Sequence, residues 1–519
     1  MKPPLLIMAL QNQVIYDHPV SEFTLIETHC AWVLLTGDYA YKIKKPLNLG
    51  FLDFSTLEKR RHVCEEEIRL NRRLADEIYL DVVAITGSID APQLNGNGEV
   101  IEYAVKMRQF ETGMEFDQLI KQGKLTNRHV DQLATRVASF HQSLKGASNE
   151  TPYGSMDAIR QPMLDNFSEI DAALSDNIER QSLAQLQQWT TDELTRLTPM
   201  LENRKRDGFI RECHGDLHLA NVTRYHHQTM LFDCLEFNPK LRWIDQISDI
   251  AFMVMDLDAH GKSDFGFRFL NAWLQQSGDY AAVPLLRLYL VYRAMVRAKV
   301  ALIQHAQHPG SGHSEQCQRY LNLALSYTAA HATPLMITHG LSGSGKSCLS
   351  QLILEQLGAI RLRSDVERKR LHGLSADARS QSAVGRKLYS ATSSDATYQR
   401  LATIAQEITV GGYPVIIDAT FLKQAQRQQF KAVAKGLKVP FIILHFHAEE
   451  ALLRQWIIER NEKREDPSEA GISVLEHQIR TQEPLNEDER LNTVTIDSGK
   501  EVDISLACKN ITNVARAEL

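Results

Sequence analysis

The sequence predicts a two-part chain, a bilobal α+β region followed by a three-layer α/β region on a parallel sheet, on three observations. First, Gly340 to Ser347 reads G-L-S-G-S-G-K-S, a complete phosphate-binding loop, about two thirds of the way along the chain. A domain of that kind opens with its strand and loop, so the residues before about 330 belong to something else. Second, the short apolar runs Val415-Ile-Ile417 and Phe441-Ile-Ile-Leu444 read as buried parallel strands, with Thr493-Val-Thr-Ile496 as a further candidate. Third, the chain opens β-rich and turns helical from about residue 125.

The loop sets the first chemical expectation. Its apolar strand is Pro334 to His339, and Cys348 to Leu357 reads as a helix whose N-terminus faces an anion. Gly340, Ser342, Gly343, Ser344, Gly345 and Cys348 would line the phosphates of a nucleoside triphosphate, taken as ATP. Lys346 would reach the β/γ oxygens, and the Ser347 hydroxyl would hold Mg²⁺.

Composition narrows the setting. At 519 residues the chain has room for three or four domain-sized units, or for two domains of which one is bilobal. A net charge of −6 provides no global attraction for nucleic acid or acidic membranes. Seven cysteines without a C-x-x-C pair suit a reducing cytosol and argue against both a disulfide framework and a structural zinc. The N-terminal apolar run is too short for a signal sequence, and no stretch approaches a membrane span, so a cytoplasmic protein is expected. The turn-forming segment His308 to Ser314 places the domain boundary between about 308 and 334. The expected domains are 1–325, with lobes of about 1–110 and 111–325, and 333–519.

In the first part, His214-Gly-Asp-Leu-His-Leu-Ala-Asn221 precedes Leu231-Phe-Asp233. Phosphoryl transfer needs a carboxylate beside the acceptor hydroxyl, and an amide and a second carboxylate to hold Mg²⁺ on the triphosphate. Asp216, Asn221 and Asp233 supply these three groups. The stretch resembles the catalytic loop and metal site of the aminoglycoside phosphotransferase-like kinases, relatives of the protein kinases. That resemblance implies a protein-kinase-like fold, with Asp216 as base and Asn221 and Asp233 as metal ligands. It also implies that His214 braces the loop and that Asp249 is a structural aspartate.

The N-terminal strands fit this reading. Leu25 to Lys45 reads as a hairpin turning at Thr36-Gly37-Asp38, and alternation puts Ala40, Lys42 and Lys44 on one face. An alanine two residues before a lysine is the arrangement kinases use beside the nucleotide, so Lys42 is preferred, with Lys44 one step along; a solvated basic edge is the alternative. A capping box at Ser55-x-x-Glu58 opens the next helix, whose buried face is Leu57, Cys64, Ile68 and Ala75. Glu67 lies nearest that face, about 60° from Cys64, and is the expected partner of Lys42, with Glu65 and Glu66 facing water. Val105 to Phe110 reads as the strand and hinge joining the lobes. Thr28-His-Cys-Ala-Trp32 stands where protein kinases carry a glycine-rich loop.

Arg293 and Arg297, one helical turn apart, could clamp an anionic group of a small-molecule hydroxyl acceptor, or pair with carboxylates such as Asp245. In the second part, Ile360 to Asp365 reads as a strand ending in Asp365, with Arg368 three residues on: a base and a cation for the acceptor. A helix N-cap is the alternative for Asp365. Asp418 is the second carboxylate for Mg²⁺, and Arg454, Arg460 and Arg464 read as a lid over the transferring group or as solvated charges.

This part resembles the AAA-type predicted P-loop kinases, a group similar to gluconate kinase, zeta toxins and polynucleotide 5′-kinase. Taken whole, the chain resembles bacterial fusions of the two kinds of domain, which implies a bifunctional ATP-dependent kinase. Two alternatives stand beside it. The first domain could be a sensor that regulates the second. The row Lys423, Arg427, Lys431 and Lys435 could mark a nucleic-acid 5′-kinase.

Overall fold

The computed structural model describes residues 4–518, apart from 29, 49, 51, 175–176, 308–312, 331, 377–390 and 464–470. It divides into two compact units. The first takes Met1–Gln132, Ser139–Asp256 and Tyr292–Ala324; the second takes Leu133–Ala138, Leu257–Val291 and Leu325–Leu519.

The first unit opens with a short helix α1 (Leu5–Ala9) and a six-stranded antiparallel sheet in the order β1-β2-β3-β6-β4-β5. The strands are β1 (Thr24–Glu27), β2 (Ala31–Leu35), β3 (Tyr39–Lys44), β4 (Tyr79–Gly87), β5 (Pro92–Leu94) and β6 (Val100–Arg108). The expected single hairpin is a three-stranded meander. Thr28 closes a tight turn by exchanging hydrogen bonds with Ala31, which separates β1 from β2. The second turn falls at Thr36 to Asp38, where Gly37 adopts φ 97°. Tyr41 and Ile43 pack into a core with Ile7, Leu34, Val83 and Ala104, which turns Lys42 and Lys44 to the opposite face.

Helix α2 (Leu57–Ala75) follows β3. Its cap is Thr56, whose hydroxyl accepts from the Lys59 amide, and not the expected Ser55 box: the Ser55 hydroxyl donates to Asp53 instead. Cys64, Ile68 and Ala75 pack with Ile78, Tyr79 and Val105. The rest of the unit is helical, with α3 (Phe116–Lys121), α4 (Asn127–Ser143), α5 (Met156–Ala173), α6 (Asn177–Arg206) and α7 (Gln246–Ala259). Two small hairpin-like pairs interrupt the helices: β7 (Ile210–Glu212) with β10 (Trp243–Asp245), and β8 (Val222–Tyr225) with β9 (Gln228–Leu231). An antiparallel lobe carrying one long helix, followed by a helical lobe with the loop strands, is the bilobal kinase-like fold.

The second unit is built on a five-stranded parallel sheet, β12-β13-β11-β14-β15, with β11 (Leu335–His339) central. Its neighbours are β12 (Ile360–Arg363), β13 (Val415–Asp418), β14 (Phe441–His447) and β15 (Thr493–Asp497). All four pairings are parallel, and Leu335 to Ile337, Val415 to Ile417 and Phe441 to Leu444 are wholly buried, as strands covered on both faces must be. Around it lie α8 (Ser263–Ser277), α9 (Val283–Gln307, in part), α10 (His313–Thr328, in part), α11 (Lys346–Leu357) and α12 (Ser364–Leu371). The later helices are α13 (Ala391–Val410), α14 (Gln424–Leu437), α15 (Glu450–Lys463), α16 (Ile472–Thr481), α17 (Glu487–Leu491) and α18 (Ile504–Glu518).

Residues 257–291 group with this sheet because α8 finishes its β12 edge. Asn271 donates to the Ala359 carbonyl (3.0 Å) and accepts from the Arg361 amide (2.7 Å), and Phe267 joins the core of Met336, Leu354 and Ile416. The His308 to Ser314 turn falls largely outside the described residues. Among the described residues, no helix is long and apolar enough to cross a membrane.

Candidate active sites

In the first unit, β3 sends two lysines toward α2. Lys42 Nζ lies 2.8 Å from Glu67 Oε1 and also binds Asp233 Oδ1, which is 191 residues away in the chain. Lys44 Nζ, wholly buried, lies 2.5 Å from both Glu67 Oε2 and Glu236 Oε1. Burial opposes charge on both lysines, but the carboxylates around them hold both ammonium groups firmly protonated. Glu65 pairs with Arg61 in solvent; Glu66 does not simply face water, because Arg69 and Arg242 hold it.

Asp233 follows β9 in the left-handed region, φ 60°, a strained backbone for a non-glycine residue and one that concentrates at functional sites. Burial raises its carboxyl pKa, and Lys42 and Lys44 more than reverse this, so it stays ionised. Asp216 lies in the loop after β7. Asn221 donates to its backbone carbonyl (2.9 Å) and to Oδ2 (3.0 Å), and His218 Nε2 is 3.3 Å from the same oxygen. Burial raises the Asp216 pKa too, but His218 and the charge of Arg297 outweigh it, and the carboxylate is held well below its ordinary range.

The loop is fixed from behind by α7. Asp249, fully buried, accepts from the backbone amides of His214 and Gly215, each at 2.9 Å, and His141 Nε2 lies 3.3 Å from it. His214 lies 3.0 Å from the Phe232 carbonyl, one residue before Asp233, and so ties the two motifs together. His141, Cys213 and Asp249 form a buried trio of potential metal ligands, but Asp249 already serves two amides and the Cys213 thiol donates to the Ile244 carbonyl.

Arg293 is not an acceptor clamp. Its guanidinium is buried and donates to the carbonyls of Gly215 (3.1 Å) and Ser248 (3.2 Å), so it braces the loop that carries Asp216. Asp245, the expected partner of the pair, is taken by Arg204. Arg297 donates to the Tyr320 hydroxyl (3.4 Å).

In the second unit, a cavity of about 870 Å³ opens over the phosphate-binding loop. Two glycines are required by close approach. A Cβ on Gly340 would lie 2.3 Å from the Phe446 carbonyl, and one on Gly343 would lie 2.9 Å from the Leu453 carbonyl. Helix α11 starts at Lys346, two residues earlier than expected, so Lys346 and Ser347 belong to its first turn. Lys346 Nζ turns back onto the Leu341 carbonyl at 2.7 Å.

Ser342 through Cys348 line the cavity, together with Asp365, Arg368 and Asp418. Strand β12 stops at Arg363, so Asp365 is in the first turn of α12 rather than at a strand end, and Arg363, not Asp365, is the N-cap. The Asp365 carboxylate accepts from Arg363 at 2.9 Å; burial raises its pKa, and Arg363, the Val366 amide and Lys369 together bring it below its ordinary value. One oxygen of Asp418, at the end of β13, is buried without a hydrogen-bond partner and lies 3.9 Å from Arg363.

Arg454 does not line the cavity: it is half-buried and paired with Glu450 and Glu476. Arg460 lies on α15 with its side chain outside the described residues, and Arg464 lies outside them altogether. Trp456, Val474, His477 and Gln478, from α15 and α16, face the loop in place of Arg454. Gln478 Oε1 accepts from the Ser342 amide at 2.8 Å. No motif marks these residues; only their helical spacing was available. The basic row also breaks up, since Arg427 is buried against Glu489 and Lys423 binds Glu483 and the Thr481 carbonyl.

Both sites suit a hard divalent cation. A buried carboxylate oxygen on Asp418 without a hydrogen-bond partner, in the cavity that Ser347 also lines, is one such donor set. Asp233 with Asn221, whose NH₂ is spent on Asp216 and whose carbonyl oxygen is left, is the other.

Residues 335–485 match the AAA domain family. An uncharacterized protein of Mycobacterium tuberculosis H37Rv is 29% identical over 407 residues, 78% of this chain and 80% of that protein; a Mycobacterium bovis protein matches equally. Among solved structures, a gluconokinase from Sinorhizobium meliloti 1021 shares 20% identity over 36% of this chain and 94% of its own, with a TM-score of 0.25. A choline kinase from Cryptosporidium parvum shares 10% over 62% of this chain and 94% of its own, at 0.38. The GDP complex of an aminoglycoside 2′-phosphotransferase shares 12% over 63% and 100%, at 0.39. Residues 335–485 of the chain are thus an AAA-domain region.

Proposed function

We propose that the chain is a bifunctional phosphotransferase. Each unit binds a nucleoside triphosphate, taken as ATP, with Mg²⁺, and moves the γ-phosphoryl group to a hydroxyl of a small molecule. The observation that carries the reading is the convergence of Lys42, Glu67 and Asp233 beside the Asp216–Asn221 loop. When bound, the cation supplies charge neutralisation on the triphosphate.

In the first unit Lys42 holds phosphate oxygens, Glu67 aims Lys42, and Asp216 accepts the proton of the acceptor hydroxyl. Its depressed pKa keeps it ionised, and Asn221 fixes which oxygen faces the acceptor. In the second unit the loop amides and Lys346 bind the phosphates, Ser347 and Asp418 hold the cation, Asp365 accepts the proton and Arg368 orients the acceptor. The buried position of Arg427 counts against the nucleic-acid reading.

The test is mass spectrometry of a bacterial metabolite extract incubated with ATP, Mg²⁺ and the wild-type, Asp216→Ala or Lys346→Ala protein. Two sets of phosphorylated products, each lost in one variant only, support bifunctionality and identify the acceptors. If every product depends on Lys346 and none on Asp216, the first unit is a sensor and the catalytic reading of it is dropped.

A further inference from the structure

We propose that Lys44 and Glu236 are a second positioning pair in the first unit, which keeps Glu67 and the Asp233 loop in register while Lys42 changes partners. This rests on reading that unit as a MgATP site. Five charges form one chain: Asp233, Lys42, Glu67, Lys44 and Glu236. Glu67 gives one oxygen to each lysine, so neither lysine alone fixes it. The two ends of the chain differ. At the open end the Asp233 side chain is 39% exposed; at the closed end Lys44 is 0% exposed and Glu236 7%.

Only the open end can meet a ligand. A cation on Asp233 and a phosphate on Lys42 would break the Lys42–Asp233 contact and weaken the hold of Lys42 on Glu67. Lys44 cannot reach the nucleotide, so its two contacts persist and act as the fixed point. Glu236 is only three residues past Asp233, and its carbonyl also accepts from Arg242 (3.0 Å), which in turn binds Glu66 on α2. The cation-binding loop is therefore tied to α2 at the end away from the ligand. Without Lys44, the buried carboxylates of Glu67 and Glu236 would repel one another and push α2 and the loop apart. Burying an ammonium group is costly, and a lysine with no access to substrate is retained here for placement.

The test uses full-length protein carrying Lys346→Ala, which silences the phosphate-binding loop, and compares it with the same protein carrying Lys44→Met and Glu236→Gln together. That pair removes one charge of each sign. ATP affinity is measured by calorimetry with and without Mg²⁺, alongside circular dichroism. The expected result is a folded variant whose Mg²⁺-free affinity stays within about twofold of the parent, while the gain conferred by Mg²⁺ falls about tenfold or more, as for outer-shell partners of metal ligands. The isosteric Glu236→Gln single variant, which keeps Lys44 paired with Glu67, is expected to lose part of the gain, and it decides the matter if the double variant does not fold. A Mg²⁺ gain equal to the parent's overturns the pair. A parent that binds no ATP overturns the reading of the whole unit, and the pair with it.

Discussion

His339 is the last residue of β11, and its Nδ1 lies 2.8 Å from Nδ1 of His445 on the adjacent strand. Burial, with the nearby charges of His445, Arg427 and Lys346, pushes its pKa down to about 3 from an unfolded value of 6.5. A histidine whose folded pKa is depressed gains protons more readily when unfolded. Stability of the second unit should therefore be full above pH 6.5 and decline as the pH falls toward 3. Urea midpoints at pH 7.5 and pH 5 should differ in the wild type and differ less in His339→Gln; equal shifts in both would assign the effect elsewhere. Arg427 offers a second test. Its pair with Glu489 is buried at both ends, and Arg427→Met should cost the second unit about 3–5 kcal/mol by leaving Glu489 unpaired. Hydrogen exchange in β11 and β13 would reveal this, and an unchanged protection pattern would contradict it.

At the scale of elements, contiguous signals were legible and convergent ones were not. The phosphate-binding loop, its strand and the strands at 415, 441 and 493 can be read because each is a short local pattern. The pairing of Lys42 with Glu67 was reachable because strand alternation and helix phase each fix a face. Glu236 was not, since nothing local marks a carboxylate that a lysine 192 residues away will bury. The caps failed by a residue: Ser55 and Thr56 are both able to cap, and Asp53 draws off the Ser55 hydroxyl.

Two elements carry predictions of their own. Helix α8 completes the β12 edge, so Asn271→Ala leaves the Ala359 carbonyl and the Arg361 amide without their partner and should destabilise the second unit by about 1–3 kcal/mol in urea. A change under 0.5 kcal/mol, the size expected of an ordinary surface substitution, would show that water replaces it. Helix α16 places Gln478 on the Ser342 amide. Gln478→Leu should increase hydrogen exchange in α16 in nucleotide-free protein, and unchanged exchange would mean that packing of Leu475 alone seats the helix.

For the molecule as a whole, the sequence divides near residue 330, whereas compactness assigns residues 257–291 to the second unit as well. The reason is physical: a parallel sheet needs cover on both faces and at its edge, and α8 supplies part of that cover from earlier in the chain. No local pattern could announce it. Both units nonetheless carry a lysine and two carboxylates at the proposed site, Lys42 with Asp216 and Asp233 in the first, Lys346 with Asp365 and Asp418 in the second. A bifunctional chain has two nucleotide sites. Equilibrium dialysis with ATP and Mg²⁺ counts them directly. The expected stoichiometry is two for the wild type, one for Lys346→Ala, one for Asp233→Ala, and none when both changes are combined. A wild-type value of one that falls to none with Lys346→Ala alone would contradict it.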